Sequence, residues 1–566
     1  MAPQSDIHAR GHAGPLAWFR SGEPMIWLNA AAVSVCVVAV LGLILLLAVR
    51  GFGHFWPRNV MAATSSYQGQ QKALLGEVVE QVQVSGEQLS EAGITLQGPG
   101  PFYGRSLVKQ GNRDYLGNDF VWVLNEQMSV PAWPEDVMVV ERLEWGNFYG
   151  VLQSVSAGGE TLADASEPQQ LWQAFQGLIA DTLVVRRQIQ QIERGDIGAI
   201  NHRMERLRLR ERSLQLDGEL DASAQAQLAA ERAELDAEYR MLQGQLQGLY
   251  QSIGDASYSA RLADGRVVEL PIAKVVRAFQ PNAMGLWQKC AMYLEKLWEF
   301  LSDEPREANT EGGIFPAMFG TVMMVLLMSI MVTPFGVVAA VYLREYARQG
   351  FVTRTIRVAV NNLAGVPSIV YGVFGLGFFV YFVGGELDQL FFPEALPSPT
   401  FGTPGLMWAS LTLALLTLPV VIVATEEGLA RIPKSIREGS LALGATRAET
   451  LWRVVLPMAS PAMMTGLILA VARAAGEVAP LMLVGVVKLA PSLPVDGNYP
   501  FLHLDQKFMH LGFHIYDVGF QSPNVEAARP LVYATALLLV ILIALLNLAA
   551  VYLRNHLRER YKSLEN

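Results

Sequence analysis

The sequence predicts a mainly α-helical polytopic membrane protein with six transmembrane helices and an α+β domain inserted after the first of them. Three observations predict it. Six apolar runs are each long enough to cross a bilayer, Lys and Arg concentrate in alternate connections, and the long polar stretch 50–313 switches between strand and helix periodicities. Hydrophobic residues make up 51% of the 566 positions and charged residues only 17%, which is outside the usual soluble balance once the apolar residues fall in blocks.

A helix of roughly 20 apolar residues spans the hydrocarbon core. The runs at 26–49, 314–343, 364–384, 406–425, 461–487 and 530–553 meet that length. The first begins after residue 25, continues past signal-peptide length and lacks a small-residue cleavage site, so it reads as a retained span preceded by a cytoplasmic segment, 1–25. Orientation follows from the excess of basic residues in short cytoplasmic connections. Arg344, Arg348, Arg354 and Arg357 follow the second span, Arg431, Lys434, Arg437, Arg447 and Arg453 follow the fourth, and Arg554, Arg558, Arg560 and Lys562 follow the sixth. The 385–405 connection has no Lys or Arg but carries Glu386, Asp388 and Glu394, which places it outside. Both termini, including the 555–566 tail, are then expected in the cytoplasm of a bacterial inner membrane.

Residues 50–313 are accordingly expected in the periplasm, in a domain too long for its own charges to set topology. Asp119 to Leu124, Val137 to Val140 and Arg266 to Leu270 are strand-like, and Asp264-Gly265 suits a tight hairpin. Between them, about 165–255, lies an expected antiparallel coiled-coil hairpin. One arm carries Ile189, Ile192, Ile200, Met204, Leu207 and Leu214; the other carries Leu235, Tyr239, Leu242, Leu246, Leu249 and Ile253 in steps of 4 and 3, a heptad seam. Leu216-Asp217-Gly218 to Ser223 has the composition of the reversal. Two roles for this domain stay open: docking or sensing an extracytoplasmic binding protein, and acting as a spacer or assembly contact.

The connection between spans four and five holds the most informative motif. Glu438-Gly439-Ser440 is followed after three residues by Gly444, and after nine more by Val454-Val455-Leu456-Pro457. Two helices joined by a turn at Gly444 can stand out of the membrane and fill a cleft on a partner. The pattern resembles the Glu-Ala-Ala loop of ATP-binding-cassette importer permeases, with small-for-small and branched-for-branched changes. From Gly312 onward the chain resembles the PstA family of phosphate permeases, within the binding-protein-dependent transport system inner-membrane components. The residues that carry the resemblance are Gly313 to Ala317 with Gly320-Thr321, Asn361 to Gly372, Thr425-Glu426-Glu427, and Ala472 to Leu481. The resemblance implies a type I importer permease core over 314–554 and a coupling loop at about 428–457 whose contacts come from Glu438, Gly439, Ser440, Gly444, Leu456 and Pro457. It further implies Glu426, Glu427 and Arg437 at the cytoplasmic mouth. The implied partners are a second homologous permease, two copies of an ATP-binding subunit that uses ATP and Mg, and a periplasmic phosphate-binding protein. The large domain departs from the compact family pattern, so its role is not implied.

Arg473 and Glu477 lie four apart in the fifth apolar run, hence on one face if that run is helical throughout. Ionisable groups inside a span are costly unless they face a partner or a water-filled path. Arg473 offers a fork matched to phosphate oxygens, with Glu477 to hold it while the path is empty. A bundle-stabilising ion pair is the competing reading. Pro334 with Gly336, and Gly365 with Pro367, weaken backbone hydrogen bonding and are candidate hinges.

The sequence has no Gly-x4-Gly-Lys-Ser/Thr, so the chain itself has no phosphate-cradling loop for ATP; the expectation is a non-catalytic subunit with no bound cofactor and no metal. The net charge of -9 argues against nucleic acid as a partner; the lipid bilayer is the expected one. Cys36 and Cys290 are too far apart in the expected topology to pair. His510 and His514 read as ordinary polar residues of an outer loop. The resemblance implies phosphate import as the function. A permease for another oxyanion (sulfate, molybdate) and a membrane phosphate sensor built on the permease fold are the alternatives.

Overall fold

The computed structural model describes residues 23–67, 70–91, 100–522 and 525–561. The N-terminal segment up to residue 22 and the end of the tail, including Lys562, lie outside the described residues.

Among the described residues, six helices are long and apolar enough to cross a membrane. They are α1 (Glu23–Gly53), α6 (Phe315–Tyr346), α8 (Ser368–Phe391), α9 (Leu406–Arg431), α11 (Arg447–Gly476) and the core of α14 (Val525–Tyr561). Burial ranks them. In its most apolar window α9 is 67% buried and α1 is 0% buried, so α9 is the axis of the bundle and α1 its periphery. Around α9 pack Met324, Met328 and Val332 of α6, Tyr371 of α8, and Ala470, Val471, Ala474 and Ala475 of α11. Small residues let the backbones close up, as membrane helices require where lipid gives no hydrophobic drive. A Cβ on Gly466 would stand 2.6 Å from that of Ala424, and one on Gly428 2.5 Å from that of Ala462.

Among the described residues, the domain between α1 and α6 contains two larger antiparallel sheets and a two-stranded one that pairs Pro305–Arg306 with Glu311–Gly312. The first runs β1-β2-β3-β4 (Val60–Tyr67, Gln70–Ser85, Phe102–Lys109, Phe120–Leu124). The second has the order β10-β5-β6-β8-β9, with β7 on β6; its strands are Val137–Arg142, Phe148–Ala157, Glu160–Asp164, Ala256–Arg261, Val267–Pro271 and Val275–Phe279 for β5 to β10. The tight turn expected at Asp264-Gly265 joins β8 to β9, with Gly265 at φ 87°. One face of this sheet is covered by α2 (Pro168–Gln190), whose Leu171, Phe175 and Ile179 meet Phe148, Val155 and Tyr258.

Beyond α2 the chain continues through a wide turn into α3 (Ile197–Asp217), reverses at Gly218 and returns as α4 (Ala222–Gly254). Gly218 takes the left-handed conformation at the end of α3, and Asp221 caps α4 by accepting from the Ala224 N–H. Ile200, Leu235 and Leu242 are buried where the arms meet. The hairpin leans over the membrane core: His202 Nε2 lies 3.0 Å from the Tyr499 carbonyl, and α3 packs on the 393–395 turn between spans three and four.

The last long helix before the second span is α5 (Leu286–Ser302). Its end is tied to the first turn of α6, since the Ile314 and Phe315 N–H groups donate to Phe300 and Asp303 carbonyls at 2.8 and 3.2 Å. Phe300 also packs on Phe55, just past α1, with ring centroids 5.1 Å apart.

Candidate functional site

The fifth apolar run is not one helix to residue 487. The helix α11 ends at Gly476, Glu477 is extended (φ -78°, ψ 134°), and a separate turn of helix, α12, spans Leu481–Val484. Pro480 supplies the reason, because it disfavours helical geometry at the residue before it and cannot donate to the ladder. Arg473 and Glu477 therefore do not share a helical face. They approach across the end of α11, Arg473 Nε to Glu477 Oε1 at 3.6 Å, a charge contact without hydrogen-bond geometry. Both side chains are partly exposed, and among the described residues no hydrogen bond engages the guanidinium. Span three packs on the other side of the break: a Cβ on Gly372 would lie 2.7 Å from Pro480 Cα, and one on Gly375 would lie 3.0 Å from Val484 Cγ1. Next to it the Tyr371 hydroxyl donates to the Leu363 carbonyl at 2.6 Å.

The candidate hinges differ from one another. The helix α6 runs through Pro334 and Gly336 without interruption, and Gly336 faces Val421 of α9, where a Cβ would stand 2.5 Å from its Cγ1. Gly365 and Pro367 lie in a true break between α7 (Phe351–Leu363) and α8.

On the opposite end of the bundle, α10 (Lys434–Ala442) and the start of α11 are joined by a turn in which Gly444 takes φ 88°. A side chain rarely adopts that conformation. Thr446 and Glu449 form a reciprocal cap that starts α11. Leu456 and Pro457, expected in the loop, are within this helix. A wide turn over Leu451–Val455 closes on the Leu456 N–H and makes room for a proline that has none to offer. Residues 428–431 likewise are the last turn of α9 rather than loop. Ser440 Oγ and Thr450 Oγ1, 2.9 Å apart, tie the two helices together. Arg437 fastens α10 to the spans: it donates to Glu345 Oε1 at 2.9 Å and to the carbonyls of Leu429 and Ile432 at 2.8 and 3.2 Å. Glu426 takes Arg357 at 2.8 Å. Glu427, Glu438 and Gly439 are exposed, as is Leu443 at 90%. The outcome is an outward-facing helix pair with an apolar tip on a fixed ionic base.

His510 and His514 are not surface residues. Both are buried, and His510 caps the short helix α13 (Leu511–Tyr516), accepting from the Gly512 N–H at 3.1 Å. Among the described residues no group of three or more His, Cys, Asp or Glu could hold a metal ion. Burial pushes the two imidazoles down to about 3 and about 4, for His514 against the pull of nearby Asp517. Both values lie below the unfolded value near 6.5, so the neutral rings stabilise the fold above that pH and the contribution is lost as pH falls from 6.5 towards 4. Linkage makes this about 2 kcal/mol per ring between pH 6.5 and 5. His510→Asn keeps a cap acceptor and removes the titration. Melting of the detergent-solubilised chain between pH 7.5 and 5 should therefore fall less steeply in the variant; an identical acid limb would contradict this.

A second polar site went unpredicted. A cavity of about 240 Å³ lies between the β-domain and the outer ends of α1, α6 and α14, lined in part by Lys109, Glu141, Lys296, Arg306, Glu307 and Glu311. Glu141 meets Lys296 at 2.6 Å and Arg277 at 3.4 Å, and Glu299 meets Arg277 at 3.0 Å and Arg306 at 2.7 Å. Burial alone would raise the Glu141 carboxyl, but Lys296 and Arg277 outweigh it and hold it at about 2. These residues come from remote segments, so spacing could not reveal them. The one local signal is the density of charge at 295–311, just before a span.

Residues 332–563 match the family model described as "Binding-protein-dependent transport system inner membrane component". The chain is 35% identical over 247 residues to the phosphate transport system permease protein PstA 1 of Mycobacterium tuberculosis, covering 43% of this chain and 71% of that one. It is 31% identical over 240 residues to the probable phosphate transport system permease protein PstA of Methanocaldococcus jannaschii, covering 42% and 74%. A solved inward-facing MetNI methionine ABC transporter aligns with 43% of this chain and 94% of its own at 20% identity, TM-score 0.32.

Proposed function

The chain belongs to the family of binding-protein-dependent transport system inner membrane components, and from that premise we propose that this importer permease carries inorganic phosphate across the bacterial inner membrane. Relatives named as phosphate permeases align over 247 and 240 residues of the chain, and the observation that carries the substrate is the Arg473 guanidinium. It stands at a break in the bundle, touched only loosely by Glu477, with its donors unspent. A fork of N–H donors in a partly desolvated site suits a tetrahedral oxyanion. Glu477 competes for the same donors and holds the charge when no anion is present.

The remaining roles follow the same reading. The chain is a non-catalytic subunit that pairs with a second permease, takes substrate from a periplasmic binding protein and is driven by two ATP-binding subunits using ATP and Mg. The helix pair around Gly444 meets those subunits, with Glu438, Gly439 and Ser440 at the contact and Leu456 and Pro457 passing the motion into α11. The 50–313 domain lies on the periplasmic side.

The test is ATP-dependent uptake of radiolabelled phosphate into proteoliposomes holding the chain with its partner permease, ATPase and binding protein. Saturable uptake that excess sulfate and molybdate do not displace supports phosphate. ATP-driven flux of either competitor in its place would keep the importer and overturn the substrate.

A further inference from the structure

The helix α5 is amphipathic the wrong way round for a soluble domain. Its charged side faces the protein: Lys296 and Glu299 belong to the ion-pair network of the junction, Glu295 reaches Arg277 at 2.9 Å, and Lys289 bonds Asn59. Its apolar side faces outward. Leu286, Trp287, Leu294 and Trp298 are 70, 86, 64 and 70% exposed, and helical spacing places Trp287, Leu294 and Trp298 on one stripe with Leu286 at its edge. Water would favour the reverse arrangement.

We infer that this stripe is seated in the outer interfacial layer of the bilayer, making α5 a lipid-binding helix that anchors the domain beside the transport core. Continuity with the membrane-spanning surface carries the assignment. The C-terminal end of α5 is hydrogen-bonded to the first turn of α6, and Leu297 and Leu301, neighbours of the stripe, pack with Phe55, Ile314, Ala317 and Met318 where α1 ends and α6 begins. Two tryptophans on the stripe, with Trp56 against Tyr293 beside it, are the residue type that collects at the lipid headgroup level. The ionic side then has a purpose as well. It holds the rotational setting of the helix, so that the apolar stripe cannot turn inward.

The test uses the full chain with Cys36 and Cys290 replaced by Ser, reconstituted in phosphatidylethanolamine–phosphatidylglycerol vesicles. A nitroxide is attached at Leu294→Cys, and separately at Leu286→Cys in case the first variant folds poorly. Power saturation compares collision with oxygen and with a water-soluble nickel chelate. The reference sites are Leu41→Cys on the exposed face of α1 and Glu219→Cys at the hairpin turn. The expected result is a severalfold preference for oxygen at 294, on the side of the α1 reference. Nickel accessibility matching residue 219 would overturn the proposal. Shielding from both reagents would also overturn it, by showing that a protein surface covers the stripe.

Discussion

Replacing Arg473 by Ala should lower ATP-driven phosphate uptake by about 100-fold or more, since hydrogen bonds to charged groups contribute about 1.5–3 kcal/mol each and a bidentate grip loses two. Assembly should survive. The side chain is partly exposed and makes only a 3.6 Å contact with Glu477, so its removal leaves no tightly paired buried partner stranded. Arg473→Lys should recover part of the uptake, because charge returns without the planar fork. Uptake at the native level in Arg473→Ala, with the complex intact on gel filtration, would assign the pair to bundle structure instead.

The second large effect is expected at the tip of the α10–α11 pair. Leu443 is 90% exposed beside Gly444, at the end of a helix already fixed by Arg437 to Glu345 and to two carbonyls. Leu443→Asp therefore disturbs no packing within the chain but places a charge where an apolar contact would be desolvated. Proteoliposomes carrying it should hydrolyse ATP at a basal rate and show almost no coupled uptake. Retained uptake would move the contact elsewhere. Gly444→Val should give the same loss by another route, since φ 88° is strained for a branched residue and the helix pair would change its angle.

Parts of this architecture were legible in the chain because a single physical term dominates them. Length and hydropathy decide the spans, and the glycine of the α10–α11 turn announces a left-handed residue by its fixed offset from Glu438. The reversal of the helical hairpin was equally plain at Leu216-Asp217-Gly218, where Gly218 takes the left-handed conformation, whereas Tyr239, which the heptad steps place on the seam, is 38% exposed. Where two terms compete, sequence periodicity misleads. Residues 461–487 are apolar almost throughout, so hydropathy reads one helix, yet Pro480 ends it and moves Glu477 off the face of Arg473. His510 and His514 look like surface polar groups until tertiary burial takes them in. The junction network was invisible for a different reason. Glu141, Arg277, Lys296 and Arg306 sit on separate elements, and only folding brings their charges together.

The meeting of Phe55 and Phe300 bears on how such a chain can arise and be dissected. The entry and exit of the whole extramembrane region touch, so it stands on the membrane core as an insertion with adjacent ends, the arrangement in which one domain can be spliced into another with little strain. Closing so long a loop costs only modestly more than closing a short one, because the entropy grows with the logarithm of length. The order and direction of the six spans are therefore indifferent to what the insertion contains. A host core and a guest domain can change independently, provided that the guest returns the chain to the point where it left.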